Sequence, residues 1–230
     1  MRDKIITAKE AVDKFSSGMT VMVGGFGLIG SPLTVLKALE EKEVADLTVI
    51  SNNVGEEGVG LGIILQQGKI GTAIGSYFTS NREAVRMYNE NKLRLQLLPQ
   101  GTLSEAIRAG GAGIPAFYTS TSAGTKLAEG KEKKVFDGKT YVLQKSLKAD
   151  IAIIKAHKAD EMGNLTYYKT ARNFNPLMAT AANTVIVEVD EIVPAGSLDP
   201  EAVITPHLFI DYIVQSKATL LEGRRVEYEL

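Results

Sequence analysis

Short runs of β-branched and aliphatic residues alternate along this chain with longer stretches of helical pattern, and no other feature restricts its fold as much. Strand-like runs fall at Thr20–Val23, Leu47–Ile50, Thr72–Ile74, Leu93–Leu97, Ile151–Ile154 and Thr184–Val189. Helical patterns occupy Pro32–Lys42, Asn81–Asn91 and Leu103–Ala109 between them. Apolar strands of this length separated by helices predict an α/β fold, an open and mostly parallel β-sheet covered by helices. With 230 residues the chain can bury one substantial core. It is read as a single domain over 1–220 followed by a polar tail, 221–230, that is expected to fray. No repeat at a fixed period stands out.

Charge narrows the choice of partners. Against 27 acidic residues stand 26 basic ones, for a net charge of -1, so no global field draws the chain to nucleic acid or an anionic membrane. An anionic ligand must then be held by local geometry. Cysteine is absent, which excludes a disulfide framework, a thiolate zinc site and a cysteine nucleophile. The stretch Met1 to Lys14 is charged and amphipathic rather than signal-like, and no window reaches the ~20 apolar residues of a membrane span. A soluble, cytoplasmic protein is expected. The charged stretch Glu129–Lys134, with Asp137-Gly138-Lys139 after it, reads as a solvated turn between strands.

The first strand runs through Gly24, Gly25, Phe26, Gly27, Leu28, Ile29 and Gly30 into a helix. Glycines there let the backbone approach a ligand closely. Gly25, Gly27 and Gly30 also satisfy G-x-G-x-x-G, so an NAD-dependent oxidoreductase with pyrophosphate on the helix N-terminus is a rival reading, and a plain packing turn is another. Two details weigh against the dinucleotide. Pro32 suits the first helical position, making Ser31 the expected N-cap and leaving the glycines upstream of the helix. The second strand is followed by Ser51-Asn52-Asn53, which offers no acidic residue for a ribose.

Asn52 and Asn53 follow a strand and so belong at the carboxyl edge of a parallel sheet, where such sheets bind ligands. Their amides can donate to a developing oxyanion, or simply form an Asx-turn. Thr102 and Glu105 fit a capping box, which starts a helix just after Gln100 and presents Gln100 at the same edge. Gly110 or Gly111 is expected to cap the far end of that helix. Neither G-x-S-x-G nor H-E-x-x-H occurs, and the two histidines, His157 and His207, read as structural or exposed, so no metal site is expected. Glu56 and Glu57 lie near the edge but read as a solvated turn rather than as nucleophiles.

Taken together, Val23–Gly27, Gly30-x-Pro32, Ser51–Asn53, Pro99–Thr102, Gly110–Phe117 and Thr170–Pro176 resemble the α-type chain of the class I coenzyme A transferases over nearly the whole sequence. The resemblance implies a ping-pong reaction in which a glutamate attacks an acyl-CoA and passes through an acyl anhydride to a glutamyl-CoA thioester. In that family the glutamate belongs to a β-type chain, in a Glu-Asn-Gly setting that is absent here. Implied with it are a β-type CoA-transferase partner in an α2β2 heterotetramer and acyl-CoA and short-chain carboxylic acids (acetate, butyrate, acetoacetate) as substrates. Coenzyme A is then a substrate, with no tightly bound cofactor. By the same resemblance the loop from Gly24 through Gly25, Phe26, Gly27, Leu28, Ile29 and Gly30 binds CoA or walls the thioester. Asn52 polarises the thioester carbonyl and Gln100 orients the acid. A noncatalytic acyl-CoA or sugar-phosphate binding module on a related scaffold is the remaining alternative. Ser17-Gly18, Thr121-Ser122-Ala123-Gly124-Thr125 and Thr205-Pro206-His207 depart from the usual family pattern, the last where His207 replaces a small residue.

Overall fold

A computed structural model describes residues 4–221 and 225–229. Its first half alternates as α1 (Ala8–Val12), β1 (Thr20–Val23), α2 (Leu33–Leu39), β2 (Leu47–Ile50), α3 (Leu61–Gln66), β3 (Ile70–Gly75), α4 (Arg82–Asn89), β4 (Arg94–Leu97) and α5 (Gln100–Gly111). The strands β5 (Ala116–Thr119), β6 (Lys133–Phe136), β7 (Lys139–Lys145), β8 (Ala149–Asp160) and β9 (Leu165–Thr166) come next. The chain closes with α6 (Asn175–Met178), β10 (Ala182–Val193), β11 (Tyr212–Gln215), β12 (Ala218–Leu220) and β13 (Val226–Tyr228).

Seven strands form one parallel sheet in the order β11-β10-β8-β1-β2-β3-β4, with the short β9 added antiparallel to β8. Both faces are covered. Val21, Val23, Val49, Ile151 and Ile153 point into one core with α1, α2, α3 and α4, while Met22, Ile50, Ala152 and Ile154 point into a second with α5 and α6. Successive residues of a strand face opposite sides, so a sheet buried on both sides needs unbroken apolar strands. The expected fold class is the observed one.

Local expectations fare less evenly. Ser31 does not cap α2: Pro32 holds the N-cap position at φ -79, ψ 70, with no side-chain bond of its own. Instead the Thr34 and Val35 amides donate to Glu188 Oε2 at 2.8 and 3.1 Å. The α2 terminus is packed inside the molecule, where a carboxylate from β10 is a stronger acceptor than a serine hydroxyl. Nor does a capping box start α5. Its first residue is Gln100, so Thr102 is already inside the helix with its hydroxyl unbonded, and Glu105 pairs with Arg108 at 2.7 Å. Gly110 and Gly111 are also inside α5, and Gly113 (φ +75) takes the left-handed turn after it. A Cβ at Gly110 would lie 1.9 Å from the Leu147 carbonyl oxygen, so close packing explains that glycine.

Part of the charged stretch expected as a turn is itself a strand. Lys133–Phe136 pairs with β7 through the two-residue turn Asp137-Gly138, whose φ values of 49 and 74 suit a tight hairpin. With β5 these strands make a separate antiparallel sheet in the order β5-β7-β6. Within the polar tail, Val226–Tyr228 pairs with Ala218–Leu220. Residues 222–224 and 230 of the tail lie outside the described residues. A capping box of Thr7 and Glu10, unexpected from the sequence, starts α1. Among the described residues no helix is long and apolar enough to cross a membrane.

Candidate functional site

From β1 the chain progresses outward through β2, β3 and β4, whereas β8, β10 and β11 lie on the other side, so the order reverses between β1 and β8. Open parallel sheets form their ligand crevice at the carboxyl ends of the strands flanking such a reversal. The glycine loop leaves β1 there. Phe26 and Ile29 exchange backbone bonds of 2.9 and 3.3 Å, and Gly25, Gly27 and Gly30 take φ of 118, 59 and 69 to close this small hairpin. Its paired residues carry exposed apolar side chains, Phe26 by 50% and Ile29 by 45%.

The loop after β2 repeats the device: Glu56 bridges Val59 between Gly55, Gly58 and Gly60, all of positive φ. The echo is faint in the sequence: Gly25–Gly30 and Gly55–Gly60 share the spacing of their end glycines and an aliphatic residue before the second one, and little else.

Asn52 is almost fully buried, and its Nδ2 donates to Ser76 Oγ at 3.0 Å and Gln100 Oε1 at 3.3 Å. The ends of β2 and β3 and the start of α5 thus deliver three polar side chains to one point. With Gln100 Oε1 engaged, its two N–H donors remain for a ligand oxygen. Asn53 does not join this cluster; its Oδ1 accepts from the Gly55 amide at 3.0 Å in the Asx-turn considered from sequence.

A cleft of about 460 Å³ opens over this point, walled by Phe26, Gly27, Leu28, Ile29, Asn52, Asn53, Glu56 and Gln100. Of the residues singled out from sequence, Gly24 and Gly25 do not line this cleft, and Gly30 lines a neighbouring hollow. Ser76, Tyr77, Ser80 and Leu220 complete the wall and were missed. Ser76 was findable, since it follows β3 as Asn52 follows β2. Leu220 comes from the final hairpin, for which the sequence carries no signal.

The neighbouring hollow, about 490 Å³, lies on the other side of Leu28 and Ile29 and holds Lys155, His157, Tyr168 and Asp190. Lys155 Nζ bridges Glu188 and Asp190 at 3.1 and 2.7 Å, while His157 Nδ1 sits 3.3 Å from Asp190 and its ring stacks at a tilt on Tyr168. Tyr167, at its floor, has its hydroxyl pushed up to about 12 by burial. His207 lines neither cavity, and its backbone serves the fold by accepting from Lys4 and donating to Asn164.

The arrangement withdraws the anchor that the dinucleotide reading needs. A pyrophosphate would have to bind the amides at the start of α2, and the buried carboxylate of Glu188 already occupies them.

Comparison with known proteins agrees. A family model described as Coenzyme A transferase matches residues 5–216. The chain is 47% identical over 223 residues to one of the subunits of a probable succinyl-CoA:3-ketoacid coenzyme A transferase of Bacillus subtilis, covering 96% of this chain and 94% of that one. It is 44% identical over 217 residues to the alpha subunit of the acetate CoA-transferase of Escherichia coli K12, covering 94% and 99%. Among solved structures, an acyl-CoA transferase of E. coli O157:H7 superposes with a TM-score of 0.85 at 22% identity, over 99% of this chain. The chain spans half the length of that polypeptide, 50%. Glutaconate coenzyme A-transferase of Acidaminococcus fermentans superposes at 0.81 with 20% identity, over 93% of this chain and 75% of its own. The chain therefore belongs to the coenzyme A transferase family, as a class I chain of the α type.

Proposed function

We propose that this chain is the α subunit of a two-chain enzyme that moves CoA between an acyl-CoA and a short-chain carboxylic acid, with the attacking glutamate on a β-type partner in an α2β2 assembly. The observation that carries the reading is the meeting of Asn52 and Gln100 beneath an exposed apolar hairpin. A carboxylate is a weak nucleophile in water, and the anhydride it forms is hydrolysed quickly, so the reaction needs a dry site with oriented donors. Half of such a site is present here. The buried Asn52 holds Gln100 in place, the amide of Gln100 meets the oxygen of the thioester or the acid, and Phe26 with Ile29 offers an apolar lip for a partner to cover.

Glu56 also walls the cleft, and a single-chain mechanism would have to use it. Its place in the tight Glu56–Val59 bridge favours a wall residue over a nucleophile. The test is coexpression with a β-type chain and assay of CoA exchange between acyl-CoA and acetate, butyrate, acetoacetate, succinate or 3-oxoadipate. Transfer is expected from the complex and none from this chain alone, with Glu56→Gln retaining activity in the complex. Transfer by the isolated chain would overturn the two-chain reading.

A further inference from the structure

The segment Thr170–Pro176 took part in the family resemblance without a role, and in the structure it grips the glycine loop. We propose that Asn173 and Asn175 are positioning residues for CoA transfer, holding the loop from Gly24 to Gly30 so that Phe26 and Ile29 stand beside Asn52 and Gln100. This inference rests on the function proposed above.

Asn173 touches both stems of the hairpin. Its Oδ1 accepts from the Gly25 amide at 3.2 Å, and its Nδ2 donates to the Ile29 carbonyl at 3.0 Å. Asn175, fully buried, donates from Nδ2 to the Gly30 carbonyl at 3.0 Å and accepts on Oδ1 from the Lys155 amide at 2.9 Å. The loop exit is thereby tied to β8.

The fit is spatial as well as polar. A Cβ at Gly24 would stand 1.8 Å from Asn175 Oδ1, and one at Gly30 would stand 2.3 Å from the Ala171 carbonyl oxygen and 2.7 Å from Asn173 Nδ2. The Asn175 amide fills the space a side chain at Gly24 would need, and Asn173 together with the Ala171 carbonyl fills that above Gly30. Asn173 itself holds φ 21 and ψ -119, a sparsely populated conformation for a non-glycine residue that persists only where its surroundings over-determine it.

Only an amide satisfies the Asn173 site. Oδ1 meets the Gly25 and Phe174 N–H groups, whereas Nδ2 meets the carbonyls of Ile29, Thr170 and Ala171. An aspartate would set an anionic oxygen against three carbonyl oxygens. The hairpin has only two internal backbone bonds to resist displacement. A shift of about 1 Å in a group that orients substrate lowers a rate by up to about a hundredfold.

The test compares Asn173→Asp and Asn173→Gly with wild type in complex with the partner chain. Glycine suits the backbone at this position, which guards against a variant that merely fails to fold. Steady-state kinetics, melting and amide hydrogen exchange are measured on the same preparations. Both variants are expected to lower kcat by about ten- to a hundredfold with little change in KM for acyl-CoA. Exchange over 24–30 should accelerate while β8 and β10 stay protected. Turnover within about twofold of wild type, unchanged exchange over 24–30, or a loss of protection spread equally through β8 and β10 would each overturn the positioning role. No transfer by the wild-type complex would instead overturn the proposed function, with the exchange data still deciding whether the clamp exists.

Discussion

Removing the Glu188 carboxylate should destabilise this fold more than any exposed ion pair could. The side chain is wholly buried and accepts from four donors: the Thr34 and Val35 amides at 2.8 and 3.1 Å, Ser216 Oγ at 2.7 Å and Lys155 Nζ at 3.1 Å. Glu188→Ala opens a cavity, strands the Thr34 and Val35 amides, leaves Ser216 Oγ with only the Ala218 carbonyl at 3.3 Å, and leaves the nearly buried Lys155 ammonium with Asp190 alone. Breaking a buried pair from one side costs about 3–5 kcal/mol. A domain of this size loses roughly 2–4 °C per kcal/mol, so Tm should fall by roughly 6–20 °C. Glu188→Gln keeps one oxygen for the α2 amides but turns an NH2 toward Lys155 and Ser216, which should cost about 1–3 kcal/mol. Thermal unfolding followed by circular dichroism, with urea titration for the free energies, measures both. A Glu188→Ala protein melting within about 2 °C of wild type would refute the reasoning, since it would mean that the network contributes nothing net.

Gln100→Ala in the assembled enzyme should lower turnover by about ten- to a thousandfold, and unchanged steady-state kinetics would remove Gln100 from the site. Burial alone would push the Asp160 carboxyl up, but hydrogen bonds from the Asn164 side chain and from the Asn164, Gly196 and Gly163 amides together hold it below the usual range. That stabilisation is complete above the unfolded value of about 3.9 and is lost as pH falls through the lower folded value. Asp160→Asn should therefore melt lower than wild type at pH 7, with the gap closing in titrations below about pH 4. Gly110→Ala forces a methyl to within 1.9 Å of the Leu147 carbonyl and should cost about 1–3 kcal/mol by urea unfolding, despite the better helix propensity of alanine.

The α/β class and the carboxyl-edge location of Asn52 and Gln100 were legible in the sequence, because both follow from local pattern. A doubly covered parallel sheet demands unbroken apolar strands such as Leu47–Ile50, and the residue after such a strand emerges at the ligand edge whatever the rest of the chain does. Capping was misread at α2 and α5 for the opposite reason. Ser31 and Thr102 have suitable chemistry, but a helix end takes its acceptor from whatever packs against it, and for α2 that is Glu188, distant along the chain. Asn173 and Asn175 are likewise far in sequence from the loop they hold. Hydrophobic periodicity is a property of neighbouring residues and survives in one dimension. Satisfying a buried amide or filling the space above a glycine depends on which distant segment the sheet order brings alongside, and only the folded chain decides that.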